Sequence, residues 1–413
     1  MLLTFTIALL LGILAGTITG LTPGIHINLV TVILLGFSGL LFSITTPLII
    51  AVFIVSVAIT HTFIDYIPSI FLGAPDQDSF LSILPGHRFL LEGKGYNAII
   101  LTLYGGILAL IVIILYIPFF IYVLPKIYVY FSRIMWIILI LVSVFLILQE
   151  RGNEVWATMI FLLAGFLGIA SLNLNLKEPL LPLLTGLFGA SSLIISIKQK
   201  TEIKSQQIDK LKNILLKKKS IIRVFIASIL ASPFTSFLPG LGASEAALIG
   251  KQILGDEEKE SSDGEFLFLL GAINTIVMGL SFITLYSLDK TRTGAAVAVE
   301  RLLPSFNSAD LFYVIIAIIL TGIISFFLAI KISKIAAKNI HKVNYNKLSL
   351  IILIFLTIIV FFLSDFFNLA GGLIGMLVFI TATFLGIFTI TKGLKRMYLM
   401  GCLLLPTILF YLI

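Results

Sequence analysis

Residues 16–35 read "GTITGLTPGIHINLVTVILL". Both ends of this stretch suit a lipid bilayer, yet its middle holds a Pro-Gly pair followed by a histidine and an asparagine. Inside hydrocarbon an unpaired N–H or C=O is costly, so the interruption predicts a partner other than lipid: protein, trapped water or a solute. Pro23 has no N–H to give and Gly24 tolerates positive φ. A helix ending near Leu21 can therefore turn sharply, and a new one can start near Ile25. The first turn of that returning helix carries unpaired N–H groups equivalent to about half a positive charge, which attracts anions.

Around this stretch the chain is apolar from end to end. Of its 413 residues 59% are hydrophobic and 12% charged, which excludes a soluble domain of ordinary composition. Bilayer-length runs recur at 2–21, 98–123, 134–148, 311–330, 348–363 and 373–390, the pattern of an all-α polytopic protein of the cell membrane. The net charge of +8 does not signal nucleic acid. Nine of the 28 Lys and Arg residues lie between Lys198 and Arg223, directly after an apolar segment, which places this loop in the cytoplasm. Lys331, Lys334, Lys338, Lys342 and Lys347 mark a second cytoplasmic loop, and Lys392, Lys395 and Arg396 a third. The alternation puts the C-terminus outside. No basic n-region precedes the first apolar run, which argues against a cleaved signal peptide and fits an outward-facing N-terminus. Cys402 is the only cysteine, so neither a disulfide nor a zinc cluster is expected.

The opening stretch has a partner. "SFLPGLGASEAALI" at 236–249 repeats the device around Pro239, again after one apolar helix. About 52 residues beyond each break lies a polar island, "GAPDQDS" at 73–79 and "LDKTRTG" at 288–294, and each island leads to a long apolar helix. Counting crossings back from the cytoplasmic loop starts the first unit outside and the second inside. The expectation is an inverted repeat with paired Pro-Gly-broken, re-entrant hairpins at 20–28 and 236–245, the plan of many secondary transporters. The units are 1–110 and 221–330. Linking helices occupy 111–197, the Lys-rich loop 198–220, and C-terminal helices 331–413.

Two opposed helix starts would converge on one small anion near the membrane centre. The expected contacts in the first break are Pro23, Gly24, Ile25, His26 and Asn28, where His26 can bind substrate or handle protons and Asn28 can orient it. In the second break they are Pro239, Gly240, Gly242, Ala243 and Ser244, with Ser244 placed as an N-cap. Thr293 and Gly294 of the second island complete the set, together with Asn274, an isolated amide on an apolar helix that needs a partner. Glu245, Asp76 and Asp65 are the candidates for coupling-ion binding or gating. Each also has a plainer reading, as a helix-start carboxylate, a solvated turn acid or a satisfied buried acid. "GDEEKESSDGE" at 255–265 reads as a solvated loop, and "GHRFLLEGKG" at 86–95 as a short cytoplasmic connection. No HExxH, CxxC, GxSxG or Walker sequence occurs, so no enzyme, metal or cofactor is expected.

The motifs "GTITGLTPGIH", "FLGAPDQDSFLSILPGHRFLLEGKGYNAI" and "PFTSFLPGLGASEAALI", in this order over about residues 10 to 305, resemble the large membrane subunit of tripartite tricarboxylate transporters, the TctA family, in its archaeal-type branch. The resemblance implies a permease that moves a di- or tricarboxylate inward, driven by a Na⁺ or H⁺ gradient. It also implies a small membrane subunit and an extracytoplasmic binding protein as partners. His26 stands where the family commonly has a second glycine, and Asp289 and Lys290 stand where it often has Pro-Gly. The alternative reading is a lipid translocator, in which the same helix ends receive the phosphate of a polyprenyl carrier.

Overall fold

The computed structural model describes residues 2–22, 45–72, 83–148, 150, 152–199, 204–237, 243–254, 259–290, 293–342, 344–365 and 368–412. The regular secondary structure among these residues is helical, with no strand among them. Eight of the described helices are long and apolar enough to cross a membrane. The chain is a multi-pass membrane protein.

The first group of helices opens with α1 (Leu2–Leu21) and α2 (Pro47–Ile64), the latter started by a proline whose missing N–H costs nothing at that position. A seven-residue helix, α3 (Tyr66–Leu72), prolongs α2 after an interruption at Asp65, and α4 (Ile83–Leu91) follows. Then α5 (Gly95–Pro118) continues through a π turn at Phe119–Val123 into α6 (Leu124–Arg133). The widened turn comes directly after Pro118, which cannot donate to the preceding turn. The chain continues in α7 (Met135–Leu148), α8 (Glu154–Leu172) and α9 (Leu180–Leu184), which runs through a π turn into α10 (Ser191–Gln199).

After the short α11 (Leu211–Ile214), a second group repeats the order: α12 (Lys218–Phe237), α13 (Ala243–Leu254), α14 (Lys259–Leu288), α15 (Gly294–Leu302) and α16 (Ser308–Asn339). A full capping box at Asn307 and Asp310 starts α16. Three helices close the chain: α17 (Tyr345–Leu363), α18 (Leu369–Thr391) and α19 (Gly401–Leu412). The lengths of the two groups agree closely. Both α1 and α12 have 20 residues, and the apolar spans Pro47–Leu72 and Asp263–Leu288 both have 26. Both α4 and α15 have nine, and the long spans Gly95–Tyr130 and Ser308–Lys342 have 36 and 35.

Side-chain neighbours fix the directions. A Cβ added at Gly12 would lie 2.6 Å from Ser56 Cβ, one at Gly16 2.7 Å from Thr60 Cβ, and one at Gly20 2.9 Å from Ile64 Cβ, so α1 and α2 run parallel at glycine-only distance. Thr62 meets Thr275 and Tyr66 reaches Leu270, so α2–α3 and α14 are antiparallel. Leu101 lies by Gly264 and Ile113 by Gly279, which makes α5 parallel to α14. Ser56 meets Thr321 and Thr60 meets Ser325, which makes α16 parallel to α2. Tyr104 stacks near Phe326 while Leu110 sits on Gly322, so α5 and α16 oppose each other. Each long helix thus lies along the buried helix of the other group. The span of α14 is wholly inside the protein, and 83% of the α2–α3 window is buried.

Two sequence readings are corrected. Residues 259–265 are not a solvated loop but the first turns of α14. Asp263 pairs there with Arg88 of α4, and Glu265, 2% exposed, pairs with Arg223 of α12 at 3.6 Å. Residues 83–91 are likewise a helix rather than a plain connection, because Gly86 and the apolar residues after it pack inward against Ile70 and its neighbours. The Lys-rich stretch also lies down on the protein. Gln206 accepts from Gly95 N and donates to Leu90 O, Gln207 N donates to Gly93 O, and Asn97 donates to Asp209.

Candidate functional site

Where α2–α3 crosses α14, deep in the protein, both helices turn polar. Asp65 and Asn274 are each 3% exposed, and Asn274 Nδ2 lies 3.5 Å from Asp65 Oδ2. One turn away, the hydroxyls of Thr62 and Thr275 are 3.1 Å apart. His61, four residues before Asp65 and so on the same helix face, has its Nδ1 3.3 Å from Thr19 of α1. The seam extends toward α16 through the pairs Thr60–Ser325 at 2.9 Å and Ser56–Thr321 at 3.0 Å. In a bilayer such groups persist when they find one another or face a polar cavity, and those inside spans mark functional sites by default.

One helix end reaches this seam, and a second lies buried in the other group. α1 ends beside the Asp65 interruption, since a Cβ on Gly20 would sit 3.4 Å from Asp65 N. From the other face, α12 starts at the Arg223–Glu265 pair. Its last residue lies 14 positions further on, about 21 Å deeper at the helical rise. α13 returns antiparallel beside α12, with Gly250 against Ala231 and Arg223 donating to Leu254 O. Its first residue, Ala243, is 1% exposed. Thr293 caps α15, accepting from Ala296 N, and its hydroxyl lies 2.9 Å from Ser281 Oγ of α14. Gly294 is the first residue of α15.

Among the sequence-selected residues, the structure brings Asp65 and Asn274 together and places Thr293 on α14 through Ser281. Pro23, Gly24, Ile25, His26, Asn28, Asp76, Pro239, Gly240 and Gly242 lie outside the described residues. Ser244 and Glu245 belong to the first turn of α13, and their side chains lie outside the description. Lys290 is engaged by Tyr128, with its Nζ 3.1 Å from the phenol oxygen and 4.7 Å from the ring centre. Sequence reading did not single out Thr19, Thr62, Thr275 or the Ser and Thr pairs with α16. Their signal is weak, since small hydroxyl residues are common in apolar helices. Among the described residues no group of three or more His, Cys, Asp or Glu gathers as a metal cluster.

Antiparallel buried helices with a polar seam, inside a shell of long apolar helices, define a multi-pass membrane protein with a polar interior. The profile of the tripartite tricarboxylate transporter TctA family matches residues 6–401, and the chain belongs to that family. Proteins of this family are non-enzymatic membrane components of systems that, in general, transport carboxylates with two further partner proteins. An uncharacterized protein of Methanocaldococcus jannaschii is 31% identical over 414 residues, covering 98% of both chains. No solved structure matches the chain.

Proposed function

We propose that the chain is a secondary active permease for a small di- or tricarboxylate, coupled to a Na⁺ or H⁺ gradient, built as two inverted repeats around the seam. Three observations support the repeat. The two groups have matching element lengths. Their buried helices α2 and α14 run in opposite directions. Each long helix packs on the other group's buried helix, as a two-fold axis in the membrane plane requires.

The observation that carries the function is the buried seam of Asp65, Asn274, Thr62 and Thr275, with the end of α1 beside it and the buried start of α13 in the second group. In this reading Pro23, Gly24 and Ile25 turn the first hairpin, Pro239, Gly240 and Gly242 turn the second, and the helix starts at Ile25 and Ala243 offer N–H groups to a carboxylate. Asn274, Thr293, Gly294, His26, Asn28 and Ser244 add hydrogen bonds, while Asp65, Asp76 and Glu245 handle the coupling ion or the gates. The two repeats rock against each other to open the site to alternate sides. A small membrane subunit and an extracytoplasmic binding protein deliver the substrate.

The test is uptake of radiolabelled tri-, di- and monocarboxylates into proteoliposomes under an imposed ion gradient. A headgroup-accessibility assay for polyprenyl phosphate runs in parallel. Accumulation of a di- or tricarboxylate, lost in His26→Ala and Asn274→Leu variants that still fold, is the expected result. Movement of the lipid phosphate without any carboxylate would overturn the proposal.

A further inference from the structure

We infer that the interruption at Asp65 is a binding site for an alkali-metal cation, sodium first among them, and that the matching place on α14 is not one. The site itself stands on geometry. Its part in coupling rests on the transport reading above.

The chain breaks between Ile64 and Tyr66 for a covalent reason. Pro68 stands four residues after Ile64, where a helix would send an N–H back to the Ile64 carbonyl, and proline has none to send. The carbonyl of Asp65 is taken up by Ser69 N at 3.2 Å, and the Asp65 N–H by His61 O at 3.0 Å. The Ile64 oxygen is thus the main-chain group that the proline leaves for another donor or a cation, and in hydrocarbon such an oxygen is not left to lipid. It sits at the C-terminal end of α2, where the helix dipole is negative. The Asp65 side chain adds carboxyl oxygens beside it.

Across the seam, Asn274 faces the carboxylate, and the Thr62 and Thr275 hydroxyls stand one turn off. Carboxylate, carbonyl, amide and hydroxyl oxygens are the hard donors that alkali and alkaline-earth ions take. Unwound backbone with a helix C-terminus is where transporters coordinate sodium. The His61 imidazole has its Nδ1 3.3 Å from the Thr19 hydroxyl. A multiply charged carboxylate entering the seam would find no Lys or Arg among the described seam residues, so a cation brought with it offsets its charge.

At the matching positions of α14 the described residues carry neither the carboxylate nor the proline. The register of α1 and α12 is 216 residues, and this offset carries Asp65 to Ser281 and Pro68 to Thr284. α14 runs unbroken through both. Ser281 donates to Met278 O at 2.7 Å and Thr284 to Leu280 O at 2.9 Å, both within their own helix.

The experiment is equilibrium binding of radiolabelled sodium to the purified full chain in detergent, in potassium buffer and without any carboxylate. Its outcome is therefore independent of whether the chain moves one. Wild type should bind sodium saturably. Asp65→Asn and Pro68→Ala should each weaken binding about tenfold or more, as loss of a ligand or of its support does at metal sites. Ser281→Ala should bind as wild type does. Pro68→Ala restores a normal helical N–H, so it remains informative if Asp65→Asn fails to fold. Folded wild type without saturable sodium binding would overturn the inference, and so would a Pro68→Ala variant of undiminished affinity.

Discussion

The two innermost helices make an instructive pair. α2–α3 and α14 present apolar spans of equal length to the centre of the protein, antiparallel to each other. One is broken by Pro68 next to a buried aspartate. The other is continuous, with hydroxyls bonded to its own backbone. At their entrances the asymmetry reverses. Arg223 and Glu265 form an ion pair near the start of α14, where the 216-residue offset places Ile7 and Ile49 beside α2. The packing frame is thus shared, while each half puts its charge at a different place along the buried helix: at the end of α2 in the first, near the start of α14 in the second.

The largest effect separates the halves by chemistry. Asp65→Asn should abolish gradient-driven accumulation of carboxylate in proteoliposomes while leaving exchange of labelled for unlabelled substrate, whereas Ser281→Ala should retain both. Equal loss in the two variants would erase the functional contrast. Next comes the frame itself. A side chain on Gly271 meets the main chain of Thr102, so Gly271→Val should cost about 3 kcal/mol and spoil the size-exclusion profile in detergent. The rim pair gives a smaller change. Glu265→Gln should cost about 2 kcal/mol by leaving a partly buried guanidinium without its carboxylate, while a double change to isoleucine, copying Ile7 and Ile49, should cost less than that single change. A thermal-melting double-mutant cycle reads both. Smallest is Thr60→Val, which removes one hydroxyl pair with Ser325 and should cost about 0.6 kcal/mol.

Much of the fold could be read before any coordinates. Runs of apolar residues located several of the spans, since hydropathy over a bilayer length has few other meanings. The site was legible where a polar residue stands alone in such a run, as Asn274 and Asp65 do. Other features were not. The acids at 259–265 look solvated because their partners, Arg88 and Arg223, are distant in sequence, and only the fold brings them near. Gln206 and Gln207 look like linker because side chains that cap another helix carry no local pattern. The Thr and Ser pairs of the seam hide for a third reason: a hydroxyl can satisfy itself on its own helix, so its presence does not announce a neighbour.

The opposed direction of the two groups is the claim on which the rest depends, and thiol labelling tests it most directly. Cys402 is buried and the only cysteine, so a Cys402→Ser background accepts single cysteines at Leu3, before α1 packs on α2, and at Lys219, at the matching start of α12. In sealed, right-side-out vesicles, a membrane-impermeant maleimide should label the cysteine at position 3 directly, and the one at position 219 only after the membrane is opened. Labelling of both from the same side would contradict the account.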